Sequence, residues 1–303
     1  MAFTFILDLW NKWNIRGFVV LSLLLQVTLI LFAPLRKKTM RRPIIFLLWL
    51  AYLMADSVAT FAVGLISHNQ GNSSAHVAEV NGTIQAFWVS FLLLHLGGRD
   101  TITAFSLEDH SLWQRHLLSL IFQVGAAIYV FVWIFSSDKS LVIPTILVFF
   151  AAFIKNVERL WAFYLSNLSR LREWEFLDDI FSYDLCGKLI SVEDECFNEE
   201  EAKLDESTMV KHAYCFFQIF KIFVTNFIFT RQQRNMSCNY FYKVSAMDAL
   251  RIISVELQFI YEVLHTKVLA IPSKWSYIFR FIAFIDIVMA CILFNRLKKH
   301  RLP

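Results

Sequence analysis

The sequence predicts an all-α, polytopic helical membrane protein with about five to seven membrane helices and a charged cytosolic loop. Three observations carry that expectation. The chain has 303 residues, of which 57% are hydrophobic, 16% aromatic and only 18% charged, with a mean hydropathy of +0.52, too apolar for an ordinary soluble domain. Several uncharged runs approach the ~20 residues that a helix needs to cross a ~30 Å hydrocarbon layer. Charge is also segregated: Glu173 to Glu206 holds 13 of the 25 acids against Lys188 and Lys203, a local charge of −11 that leaves +15 for the remainder.

The spans follow in order. Gly17 to Ala33 is the first, approached through Trp10 and Trp13 and stopped by Pro34. Arg36, Lys37, Lys38, Arg41 and Arg42 then give a strong inside signal, because basic residues in short loops stay cytosolic. The mixed polar and aromatic residues before the first span, and the lack of a small-residue cleavage site after it, read as an uncleaved span rather than a signal peptide. Pro43 to Ile66 is the second span, interrupted by Asp56. It leads to a polar loop with two N-glycosylation sequons, at Asn72 and Asn81, which are usable only on the non-cytosolic side.

Ile84 to Leu96 is short enough for a buried or re-entrant helix to compete with a true span. The stretch "GGRDTITAFSLEDHSLWQR" then returns to the cytosolic side, and Leu117 to Phe135 crosses between Trp113 and Trp133 as interfacial anchors. Pro144, tolerated in a first helical turn, opens the next helix, which runs towards Lys155, Glu158, Arg159 and Trp161. Arg170 and Arg172 close it on the inside. Little apolar periodicity follows, so the acidic stretch is expected to be a mobile cytosolic loop.

Ala213 to Thr230 either spans or lies in the interface. Phe241 to Ile271 is two-faced, with Ile253, Leu257, Ile260, Leu264 and Val268 as a packing stripe and Arg251, Gln258 and Glu262 opposite. Trp275 to Phe294 is the last span, interrupted by Arg280 and Asp286, and its basic tail favours the cytosol unless the number of crossings places it outside. Three parts result: an N-terminal helix bundle over 1–169, the acidic loop over 170–212, and membrane-associated helices with the last span over 213–303.

The segments "LDLWNKWNIRGFVVLSLLLQVTLILFAPLRKK", "LLWLAYLMADSVATFAVGLIS", "FWVSFLLLHLGGRDTITAFSLEDHSLWQRHLL", "VIPTILVFFAAFIKNVERLWAFYLS" and "SAMDALRIISVELQFIYEVLHTKV" occur in this order. Taken together they resemble the plant multi-spanning membrane-protein family known as domain of unknown function 4220. The resemblance covers nearly the whole chain, and implies a membrane protein of plant origin and a short or truncated member, since many members continue into a second small domain. It carries over no catalytic residue set.

Several constellations bear on chemistry. His95 and Asp100 have the H-x-x-x-x-D spacing by which some lipid acyltransferases pair a base with an orienting carboxylate, but no second substrate motif follows. The structural reading of this region is stronger: Gly97 and Gly98 give a sharp exit, and Ser106 with Asp109 fits a capping box. Asp56 is costly in an uncharged span, so it is either paired within the bundle or set in a polar pathway. Lys155, Glu158 and Arg159 are spaced for the acid to bridge either base along one face, while Arg280 and Asp286 point different ways, towards other helices.

No metal set is expected: His110 and His116 do not share one helical face, and His212 with Cys215 lacks further ligands. Five scattered cysteines without a CxxC pair argue against a disulfide framework, no cofactor is implied, and no motif points to nucleic acid. Membrane lipids are the expected partners, with a protein partner on the acidic loop 173–206, where Ser191 and Ser207 are phosphorylatable, or on helix 241–271. The leading expectation is a non-enzymatic membrane scaffold or interaction protein of the secretory and endomembrane system or the plasma membrane. A transporter-like protein with Asp56 in a polar pathway comes second, and a lipid acyltransferase-like enzyme using His95 and Asp100 third.

Overall fold

The structure, a computed structural model, describes residues 2–38, 41–71, 78–98, 103–134, 142–167, 205–224, 230–271 and 274–301. Asn72, Asp100 and residues 168–204, among them Lys188, Ser191 and Lys203, lie outside the described residues. The described residues are mostly helical, with no strand among them. The helices are α1 (Ala2–Phe32), α2 (Leu35–Lys38), α3 (Arg42–Gly71), α4 (Ala78–Leu96), α5 (Leu107–Ser111), α6 (Trp113–Ile134), α7 (Val142–Leu165), α8 (Glu206–Val224), α9 (Arg231–Lys243), α10 (Ala246–His265) and α11 (Lys274–Arg301). Four of them are long and apolar enough to cross a membrane, over Ile15–Phe32, Arg42–His68, Trp113–Val132 and Lys274–Arg296, with a shorter apolar helix over Gln85–Leu96. The chain is therefore an all-α membrane protein.

Two compact units form, residues 1–163 with 270–303, and residues 164–269. In the first, α4 is the central helix. Its Ala86, Val89, Leu92, Leu93 and Leu96 are buried against Val19 of α1, Ala59, Ala62, Val63 and Ile66 of α3, Ala127 and Val130 of α6, and Ala152 of α7. Small side chains at these crossings let the backbones approach, which is how helices associate once lipid has removed the hydrophobic drive between them. Large apolar side chains face outward instead: Leu31 is 64% exposed, Phe122 69% and Phe281 65%, a surface that only a hydrocarbon solvent satisfies.

Pairwise contacts fix the helix directions. Leu29 packs with Leu48, and Phe18 meets Phe61 edge-on, so α1 and α3 are antiparallel. Phe131 meets Phe149 while His116 stacks on Phe163, so α6 and α7 are antiparallel as well. α11 bonds Glu158 of α7 through Arg280 and stacks Phe294 on Phe87 at the middle of α4. It therefore runs against both α4 and α7, and its basic last turns lie at the end of the bundle where α4 begins. The cytosolic preference of that tail is thus not met at the same end as Arg36, which donates to the Phe105 carbonyl at the opposite end.

The second unit packs in the ordinary sense. Ala213, Phe216 and Ile219 of α8 form a core with Tyr240 of α9, Val244 just after that helix, and Ile252 of α10. Thr230 caps α9 in a reciprocal capping box with Gln233, and Ser245 accepts from the Asp248 N–H to start α10, so the stretch expected as one element over 241–271 is broken at Val244. The packing stripe also differs. Leu264 of the expected stripe is buried, but together with Asp248, Ile252 and Glu256, whereas Ile253, Leu257 and Val268 of that stripe are exposed. The apolar periodicity selected a real stripe, but the neighbouring helices cover a face rotated from it, which carries two acids.

Candidate functional site

α4 ends inside the bundle, and the site grows from that end. The last carbonyls of a helix have no partner within it and carry the negative end of the helix dipole. Here other helices supply the donors. Asn156 of α7 donates to the Leu93 carbonyl at 2.8 Å, Gln26 of α1 to the His95 carbonyl at 3.1 Å, and Arg159 Nη1 of α7 to the Leu96 carbonyl at 2.7 Å. In a membrane bundle such carbonyls need partners from the protein or from water in a cavity, and here side chains supply them.

Arg159 is the centre of the arrangement. Its two terminal nitrogens also hold both oxygens of Asp56 on α3, at 3.0 and 2.8 Å, the fork geometry that makes guanidinium and carboxylate a strong pair. The guanidinium thus joins α3, α4 and α7 while lying over the Phe163 ring. The two partners are not equally sheltered, since the Arg159 side chain is 10% exposed and that of Asp56 33%.

The "GG" pair makes this approach sterically feasible. Gly98 has φ +66°, the left-handed region that ends helices, and a Cβ there would stand 3.1 Å from Arg159 Cδ. At Gly97 a Cβ would stand 2.7 Å from Lys155 Cβ. The following capping box also forms, with the Asp109 carboxylate accepting from the Phe105 and Ser106 N–H groups. Tyr52 donates to the Thr103 carbonyl at 3.3 Å, tying the connector to α3.

A cavity of about 550 Å³ opens beside this pair. Its apolar wall includes Leu53, Phe61, Leu120, Leu160 and Phe163, and its polar wall Asp56, Asn156, Arg159, Arg115, His116 and Gln123. Gln123 bridges Thr60 at 2.8 Å and Ser119 at 3.0 Å, linking α6 to α3. Such a volume and such a mixture, mostly apolar with a few convergent polar groups, are characteristic of small-molecule sites.

The residues singled out in the sequence are distributed unevenly. Asp56 and Arg159 belong to the site. Glu158 does not bridge along its own helix; it accepts from Arg280 of α11, because the bundle brings an opposite charge across the crossing. Lys155 makes no ion pair among the described residues and packs its stem against Gly97. Asp286 has no hydrogen bond or ion pair with the described residues and lies outside the cavity. His95 is held by the fully buried Ser22 hydroxyl at 2.9 Å and packs on Phe91, while Asp100 lies outside the described residues. Asn81 falls in the first turn of α4.

Sequence reasoning missed Asn156, Gln123, Tyr52 and the cavity roles of Arg115 and His116. A signal was present: Thr60, Ser119, Gln123 and Asn156 are polar interruptions in otherwise apolar helices. Among the described residues no group of three or more His, Cys, Asp and Glu side chains could hold a metal ion.

The chain belongs to the family described as Domain of unknown function (DUF4220), whose sequence profile matches residues 49–302. No curated protein and no solved structure matches it. The matched range contains Asp56, Gly98, Gln123, Asn156 and Arg159, so the cavity lies wholly within the family domain.

Proposed function

We propose that this member of a family without an assigned activity is a membrane-embedded binding protein of the transporter-like kind, whose ligand path passes the Asp56–Arg159 pair. One observation carries the reading: a cavity of about 550 Å³ is sunk into an apolar bundle, and a carboxylate held by a buried guanidinium remains one-third exposed. A pure packing clasp has no need of an open volume beside it, because bundle interiors otherwise close to near-crystalline density. The cavity's end of the bundle carries Arg36, Arg41 and Arg42 and faces the cytosol in this reading. The protein resides in the endomembrane system or the plasma membrane.

The test is aqueous access. In a background with all five cysteines replaced by serine, Leu120→Cys on the cavity wall and Phe122→Cys on the outer face are reacted with a membrane-impermeant, water-soluble thiol reagent in vesicles. Thiolates form only where water reaches, so Leu120→Cys reacts much faster than Phe122→Cys. Equal, slow labelling at both positions overturns the reading. Orientation is tested by Asn72→Gln and Asn81→Gln, since loss of a glycan-dependent mobility shift places their loop on the far side.

A second reading, a scaffold, is favoured by α10, where Met247 is 65% exposed, Leu250 64% and Leu257 59% on the unit 164–269. It predicts a bound partner that Leu250→Asp with Leu257→Asp releases while the unit stays folded; a partner set unchanged by that double substitution argues against it.

A further inference from the structure

Asp286 is a carboxyl group whose partner the bundle does not supply. It stands at the middle of the Lys274–Arg296 span of α11, partly exposed, and makes no hydrogen bond or ion pair with the described residues. The apolar side chains exposed around α11, among them Phe281, Phe284 and Val288, are satisfied by hydrocarbon and single out no face. A carboxyl group at this depth is different. It is costly until another polar group meets it, so it marks the side of α11 on which lipid is the wrong neighbour.

Steps of three and four residues from Asp286 reach Trp275, Phe279, Ile282, Met289 and Leu293. This is the 3.5-residue repeat that keeps two helices together along one seam, with a single polar position near its centre, the device that fixes register in paired helices. Trp275, Phe279, Ile282 and Met289 are exposed. From end to end the row covers about 27 Å, most of the hydrocarbon thickness. A second copy of the chain fits it better than an unrelated helix. Copies in one bilayer share an orientation, so under two-fold symmetry each position meets itself and Asp286 meets Asp286 at the same depth. A carboxyl group is its own complement, since a protonated one donates to an ionised one, whereas an unrelated helix needs a polar group that happens to lie at this depth. We propose that the row from Trp275 to Leu293 is the contact between two copies of this chain, packed as parallel helices in the membrane, with the two Asp286 carboxyls sharing one proton.

The experiment uses the full chain, fluorescently labelled and reconstituted alone in vesicles, and reads the dimer fraction by single-molecule photobleaching over a range of protein-to-lipid ratios. The parent dimerises. Asp286→Leu needs roughly tenfold higher protein density to reach the same dimer fraction, a shift of about 1.4 kcal/mol and within the range for polar contacts between membrane helices. Leucine is at home in hydrocarbon, so this variant keeps its fold. Asp286→Asn, which retains a donor and an acceptor at the same depth, stays within roughly threefold of the parent. In the background without cysteines, Ile282→Cys on the row forms a disulfide-linked dimer with a membrane-permeant oxidant. Phe284→Cys, exposed on the opposite face, does not, because bridging needs Cα atoms within about 7 Å. Equal cross-linking at the two positions overturns the inference, as does an Asp286→Leu protein that dimerises as well as the parent or an Asp286→Asn protein as weak as the leucine variant. A parent that stays monomeric at every density overturns it too, and is the result expected if a different membrane protein covers the row.

Discussion

The bundle of residues 1–163 with 270–303 and the unit of residues 164–269 solve opposite packing problems with the same helices. In the smaller unit large apolar groups make a core, with Phe216 fully buried and Ile219 and Tyr240 beside it; the exposed positions of α9 include Arg231, Gln232, Arg234 and Asn235, while α10 keeps Met247, Leu250 and Leu257 exposed. In the bundle the order is reversed. Alanines fill the crossings, phenylalanines face outward, and charge is concentrated within, at Asp56–Arg159 and Glu158–Arg280. Water rewards burying apolar area, whereas lipid is indifferent to it and penalises unpaired polar groups, so polar contacts and close backbone approach become the organising interactions.

The largest expected effect tests that inversion. Asp56→Ala leaves the Arg159 guanidinium beside the α4 terminus without its partner, and is expected to cost about 3–5 kcal/mol, the range for breaking a buried ion pair. Reversible unfolding of the reconstituted protein measures it, and a loss below about 1 kcal/mol would mean that the pair contributes no more than an exposed one. A matched pair of truncations sharpens the contrast: Phe216→Ala costs about 3–5 kcal/mol by cavity formation in the smaller unit. Phe122→Ala, 69% exposed on the bundle, stays within about 0.5 kcal/mol in lipid.

A smaller, pH-dependent effect belongs to Glu256, buried on α10, whose carboxyl is pushed up to about 7 by desolvation. Because its pKa is raised relative to the unfolded chain, burial costs nothing while the group is protonated, below about 4.5, and stability is lost as pH rises through about 7. Glu256→Gln is therefore expected to match the parent near pH 4 and to exceed it near pH 8, read as amide hydrogen exchange in α10. An equal difference at both pH values would contradict the assignment. A further modest effect is that of Gly98→Ala, about 1–2 kcal/mol from the left-handed backbone, with the added methyl pressing on Arg159. Slower exchange or unchanged stability in this variant would show that the turn relaxes freely.

Much of the fold was legible because membrane spans are long and their signal is compositional. The spans placed at Pro43 to Ile66 and Trp275 to Phe294 fall within described helices, and those at Gly17 to Ala33 and Leu117 to Phe135 do so up to Phe32 and Ile134, Phe135 lying outside the described residues. The Ser106–Asp109 capping box was legible too, because its spacing is local. The partners were not. Spacing along α7 suggested that Glu158 bridges its own neighbours, yet Arg280, 122 residues away, takes it, and Arg159 reaches Asp56 across 103 residues. On α10 the apolar period was visible, but which face would be covered depends on where α8 and α9 stand.

By itself, the sequence determined the solvent of this protein: the run lengths, the scarcity of charge and the intramembrane Asp56 require an all-α bundle in lipid with that carboxylate compensated somewhere. Only the tertiary structure decided where. α4 stops short within the bundle, its carbonyls are satisfied by side chains of α1 and α7, and the room left beside Arg159 becomes a cavity. Apolar periodicity is written into every helix because it is a property of single residues in lipid or water. Hydrogen-bond closure and open volume belong to sets of helices, and exist only once those helices have met.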